Sequence, residues 1–162
     1  MTLSTLEKIF LATALIFLAI SCSRSPAKDK ASEMDLTPRS TLMIGGTKIS
    51  VEIADTAEKR NRGLSGRTSM EEDQGMLFDF KNSQTTKPGF WMIDMKFDLD
   101  LIWIKDNRVI EITKSVPHPK TGTDSSELPI YYPEHAIDTV VEVNSGFSDR
   151  RGIKVGDVLT FN

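Results

Sequence analysis

Two aspartates stand two residues apart in the run FDLDLIWI, at Asp98 and Asp100, and Asp94 lies four residues before the first. Residues i and i+2 of a strand point to the same side. Such a pair can share a proton, with one pKa raised, and act as acid and base. Hydrolysis of a glycan requires two carboxyl groups at a defined separation. The competing reading is structural. Asp98 would lie in solvent at the strand entry, while Asp100 would accept backbone amides from a neighbouring loop or pair with an arginine, Arg67 first and Arg62 second. A buried arginine–carboxylate fork is rigid and bidentate. The structural reading, with Arg67 and Asp100 as the pair, is favoured because no acid–base partner is visible along the chain.

Other chemistry has thinner support. Thioether and imidazole groups suit copper, and Met70, Met76, Met92, Met95, His118 and His135 supply both. Only Met92 and Met95 are closely spaced, and three residues apart in a strand they would face opposite sides. Core filling is the favoured role for these methionines, so no cofactor is expected. Phe90, Trp91, Tyr131 and Tyr132 could form a ring platform for a sugar or small molecule, since binding sites combine apolar walls with few polar groups. Nucleophilic catalysis finds no GxSxG elbow, and Cys22 is the chain's sole cysteine.

The elements that must carry these residues are mostly strands. TLMI and TKISVEIA flank Gly45-Gly46, a hairpin signal, and Ile49, Val51 and Ile53 alternate with Lys48, Ser50 and Glu52. DTAEKRNRG predicts a two-turn helix capped by Asp55 and closed by Gly63. MLFDF, GFWMIDM and DLDLIWI each read as strands. Asp106-Asn107 then reverses the chain into RVIEI. Residues 114–135 hold four prolines and form a long loop, which in a small domain is mobile or functional. AIDTVVEVN and IKVGDVLTF complete a mainly β chain, for which a compact sandwich or small barrel with one or two short helices is expected.

The chain has 162 residues and a formal net charge of -3, with no basic run among aromatics, which argues against nucleic acid as partner. Ile9–Ile20 is apolar but shorter than the about 20 residues that span a bilayer. Cys22 follows at once, as in a bacterial lipoprotein signal. Residues 1–22 are therefore expected to be a signal segment, 23–40 a polar tether and 41–162 the β domain. Lipidated Cys22 would anchor the protein to a cell-envelope membrane. With Ser23 after it, this would be the periplasmic face of the outer membrane where a cell has one. With Cys22 so used, the domain must be stable without a disulfide.

The pieces VEIADTAEKRNRGLSGRTSMEEDQGMLFDF, FWMIDMKFDLDLIWI, RVIEI and AIDTVVEVNSGFSDRRGIKVGD together resemble a family of uncharacterised bacterial and archaeal domains, DUF192. Gly63, Leu64 and Arg67 match its GL-x-x-R element. Gly75–Phe78 match GMLF, Phe90–Met92 match FWM, Leu99–Leu101 match the LDL of its PLDL, and Gly156-Asp157 match its closing turn. Ile93 and Asp94 stand where members often have Lys and Asn, and Asp98 where they have Pro. Cysteines common near the long loop of members are absent. The resemblance implies a compact β fold with short helices and no established activity. The residues themselves favour a non-enzymatic envelope module that binds a small molecule, a glycan or a partner protein. A hydrolase built on paired aspartates and a copper protein are the alternatives. A concavity beside Trp91 would support recognition, and two carboxyl groups converging at its floor would favour hydrolysis.

Overall fold

The computed structural model describes residues 38–84 and 86–161; Cys22, the expected signal segment and most of the expected tether lie outside them. Seven strands form one mixed sheet: β1 (Arg39–Ile44), β2 (Thr47–Ala54), β3 (Gln74–Asp79), β4 (Leu99–Lys105), β5 (Arg108–Val116), β6 (Thr139–Asn144) and β7 (Leu159–Phe161). Their order across the sheet is β5-β4-β6-β3-β2-β1-β7. Only β2 and β3 run parallel, and the crossover this demands contains the helix α1 (Ala57–Arg62). A second helix, α2 (Phe147–Arg151), follows β6.

Both faces of the sheet are covered, which explains why β4 is buried at six successive positions from Leu99 to Ile104. Alternation sorts its side chains between two cores. Ile102 and Ile104 join Ile49, Val51, Leu77, Val141, Val143 and Phe147 in one cluster. Leu99, Leu101 and Trp103 join Met76, Phe78, Met92, Met95 and Val140 in the other. The first cluster draws on all seven strands, so the sheet curls around it. It does not close into a barrel: the edge strand β5 meets the approach to β7 at an isolated bridge between Arg108 and Val158.

The local turn chemistry behaves as the residues demand. Gly45 and Gly46 have φ of 56° and 85°, and Asp106 and Asn107 have 50° and 58°. Positive φ at both central positions gives the hairpin turn whose twist matches the strands. The helix cap differs from expectation by one residue. Thr56 Oγ1 accepts from the Lys59 amide, while Asp55 pairs with the Lys59 ammonium at 2.7 Å.

The larger difference concerns GFWMIDM, which is not a strand. It makes only one bridge, Phe90 with Tyr131. The Met95 amide donates to the Met92 carbonyl at 3.2 Å, and Asp94 takes φ of 59°. This turn places Met92 and Met95 in one core cluster rather than on opposite sides of a sheet.

Candidate functional site

The described residues form a cleft of about 300 Å³ over the second core. One wall is α1, with Arg60 and Arg62, followed by Gly63, Leu64 and Ser65. The opposite wall is the segment from Pro88 through Phe90, Trp91 and Met92 to Met95. The floor comes from the sheet: Phe78 of β3, Leu99 of β4 and Glu142 of β6.

Short-range contacts hold the two walls at a set distance. The Ser65 hydroxyl donates to the Ile93 carbonyl at 2.8 Å, and the Gly66 amide to the Asp94 carbonyl at 3.1 Å. Phe90 and Tyr131 exchange both backbone hydrogen bonds, at 2.9 and 2.7 Å. Gly89 permits this approach. A Cβ there would come within 2.6 Å of Ile130 and 2.8 Å of the Tyr132 ring. Behind the wall, Phe90 packs edge-on against Phe78, Phe80 and Trp103, with centroids 5.0, 6.2 and 5.4 Å away. Such contacts fix ring geometry beyond mere area burial.

Glu142 is the chemically distinctive group. It is only 6 % exposed, and its carboxyl has no hydrogen-bond or ion-pair partner among the described residues. Burial pushes its pKa up from 4.5 to about 8, because desolvation penalises the charged form. At neutral pH it is mostly a protonated acid in an apolar cleft. Arg60 lies 5.2 Å from the Phe80 ring centre and donates to the Asp55 and Asp79 carbonyls. Arg62 lines the same cleft. It is exposed, and its guanidinium has no partner among the described residues.

Glu142 did not stand out along the sequence. It sits in TVVEV, where both alternations are otherwise apolar or small. An acid at such a position is a signal, since a strand covered on both faces has no solvent side to give it.

The aspartates take three separate roles. Asp100 is fully buried. Its Oδ1 accepts from the Ser115 and Gly146 amides at 3.0 and 3.1 Å, and its Oδ2 from the Ser148 amide at 3.1 Å. Gly146, at the N-cap of α2, offers no side-chain cap, so an aspartate from β4 supplies the missing oxygens.

The expected Arg67–Asp100 pair is corrected. Arg67 forks onto Glu52, with both contacts at 2.6 Å, and Arg39 reaches the same carboxylate at 3.0 Å. The physical reason is strand parity. Glu52 registers with Met76, and Met76 with Glu142, on the second-core face, whereas Asp100 registers with Val143 on the first. Glu52 reads as outward in sequence, yet it is buried.

The proposed acid–base pairing of Asp98 with Asp100 is corrected too, because the oxygens of Asp100 are taken up by backbone amides. Asp98 is bound instead by His118, through its amide at 2.9 Å and its Nδ1 at 2.6 Å. These contacts, the amide first, hold the Asp98 carboxyl below its ordinary range. His118 lines a separate open hollow with Asp94, Lys96 and Lys120, and Asp94 is largely exposed.

The remaining candidates divide likewise. Phe90 and Trp91 line the cleft, with Trp91 45 % exposed. Tyr131 packs on the second core, and Tyr132 is exposed, so the ring platform is split. Met92 and Met95 reach the cleft, but Met76 lines a different hollow beside Glu52 and Arg67. His118 is engaged elsewhere and His135 is exposed. The copper set of thioethers and imidazoles is therefore not assembled at one place.

Fold and site together describe a small curled-sheet domain with a cleft of mixed polar and apolar lining over its second core. The chain belongs to the DUF192 family, described as "Uncharacterized ACR", whose pattern matches residues 40–161. Two crystal structures are similar. One is a protein from Sinorhizobium meliloti 1021 described as a candidate transcription regulator. It is 28 % identical with a TM-score of 0.66, over 77 % of this chain and 95 % of that one. The other is a protein of unknown function from Novosphingobium aromaticivorans DSM 12444. It is 27 % identical with a TM-score of 0.64, over 75 % and 84 % of the respective chains. A search among curated proteins found no match.

Proposed function

We propose that the domain is a non-enzymatic binding module for a small molecule, held at a cell-envelope membrane through Cys22. The observation that carries the binding reading is the cleft itself. It has one aromatic and apolar wall, an opposite wall carrying Arg60 and Arg62 and, at its floor, a buried carboxyl without a partner among the described residues. Its volume sits at the lower end of the 300–1,000 Å³ typical of ligand sites, so the ligand is compact. An unmatched buried polar group costs stability. It is a feature that a bound molecule would compensate.

The hydrolase alternative requires two convergent carboxyl groups, and only Glu142 stands in the cleft. The anchor reading rests on the apolar run Ile9–Ile20 followed by Cys22.

The test is a ligand-shift screen of small molecules and glycans on the detergent-solubilised full chain. Trp91 fluorescence would be the reporter for the wild type and Glu142→Gln, because Trp103, the other tryptophan, is fully buried, and calorimetry would read Trp91→Ala, which lacks that reporter. Hits should weaken at least tenfold in Trp91→Ala and in Glu142→Gln. Folded variants that keep every hit unchanged would refute the cleft as the binding site.

A further inference from the structure

We infer that the cleft takes a small zwitterion, a molecule whose ammonium group seats against Glu142 and whose acidic group pairs with Arg62 at the mouth. The inference rests on the cleft being a binding site and names the chemistry of its ligand.

The inner part of the cleft is electron-rich. Phe78, Phe90, Met92 and Met95 line the cleft together with Glu142. Aromatic rings and thioethers both favour a cation over an anion as neighbour. A neutral ligand acceptor would gain one hydrogen bond from Glu142. An ammonium group would gain an ion pair together with the contacts to rings and sulfur.

The outer part has the opposite character. Arg60 and Arg62 are the charged groups that line the cleft besides Glu142. Arg60 is already committed to the Phe80 ring and two carbonyls. Arg62 is uncommitted, and a simple amine would have to pass it without compensation. A ligand carrying both charges answers both unpartnered groups at once. The guanidinium fork suits a carboxylate or phosphate at that end. The apolar cleft between the two charges suits a short hydrocarbon body.

Seating the ammonium group requires Glu142 to be ionised. With its pKa at about 8, binding at lower pH releases the carboxyl proton to solvent. Affinity should therefore rise about tenfold per pH unit from about pH 5 to 7 and level off above about pH 8, and proton release should appear in calorimetry as a dependence of the heat on the buffer.

The experiment titrates the full chain with 4-aminobutanoate, 6-aminohexanoate and 8-aminooctanoate, alongside hexylamine and hexanoate. At least one amino acid of the series should bind tenfold or more tighter than either singly charged probe. Glu142→Gln should reduce it to the level of hexanoate and abolish the pH dependence. Arg62→Gln, an exposed change that leaves the fold intact, should reduce it to the level of hexylamine. Hexylamine or hexanoate binding as well as every zwitterion, with the Trp91 signal shifting, would overturn the ligand class and leave the cleft as a binding site. No signal from any probe, combined with no hit in the wider screen, would overturn both.

Discussion

At the residue scale, two buried acids in neighbouring strands have opposite fates. Asp100 accepts three backbone amides, from Ser115, Gly146 and Ser148, and so has a partner for each carboxyl oxygen. Asp100→Asn keeps the shape but turns an amide NH₂ toward donors. We expect a loss of about 1–3 kcal/mol, read as a lower urea midpoint. An unchanged midpoint would mean that the carboxylate does not hold α2. Glu142 is the reverse case, an acid kept neutral by burial. A buried, unmatched acid carries a desolvation cost that an apolar side chain of similar volume does not. Glu142→Leu should thus raise stability at pH 7 by about 1–3 kcal/mol while abolishing ligand binding. The pH dependence has a definite sign. The folded pKa of about 8 exceeds the ordinary 4.5, so between those values the unfolded chain has lost a proton that the folded one keeps. Stability should fall across that window by about 1.4 kcal/mol per pH unit, and the slope should vanish in Glu142→Leu. Asp98, with its carboxyl held low by His118, acts in the opposite sense, and only as the pH drops through and below its ordinary 3.8.

At the element scale, the segment from Phe90 to Met95 decides whether there is a cleft at all. As a strand it would have separated Met92 from Met95. As a turn it sends both to one side, and Asp94 accepts a left-handed backbone to do so. Asp and Asn tolerate that conformation better than branched residues. Asp94→Gly should be neutral or slightly stabilising, whereas Asp94→Val should cost about 1–2 kcal/mol and weaken ligand binding through displaced methionines. Equal urea midpoints for the two variants would show that the turn is not strained at this position. Gly89 is constrained by contact rather than by backbone conformation, since any side chain there must displace Ile130 or the Tyr132 ring.

At the scale of the whole molecule, the fold supplies a sheet covered on both faces and a cleft over the second core, and the proposed anchor would place it at a membrane. No helix among the described residues is long and apolar enough to cross a bilayer. In the proposed arrangement the membrane is reached through lipid, and several acyl chains hold firmly where one holds only marginally. The wild-type protein should partition with membranes, and its mass should exceed that of the chain from Cys22 onward by the acyl groups. Cys22→Ser should lose both properties. A soluble wild-type product with an unmodified Cys22 would overturn the anchor.

What the amino-acid sequence determined by itself was local. Gly45-Gly46 and Asp106-Asn107 specify hairpin turns because Gly, Asn and Asp enter positive φ more readily than other residues. The alternation of Ile49, Val51 and Ile53 specifies a strand in the same way. A double run such as LDLIWI announces a strand covered on both faces without saying by what. The tertiary structure decided which acid meets which base and which acid meets none. Arg67 pairs with Glu52 because the parallel β2–β3 pairing and the parity of the sheet put them on one face. Asp100 lies on the other face, against the start of a helix 46 residues later in the chain. Glu142 is left alone over the second core by the same parity. Face and partner depend on strand order and register, which no short window of sequence contains.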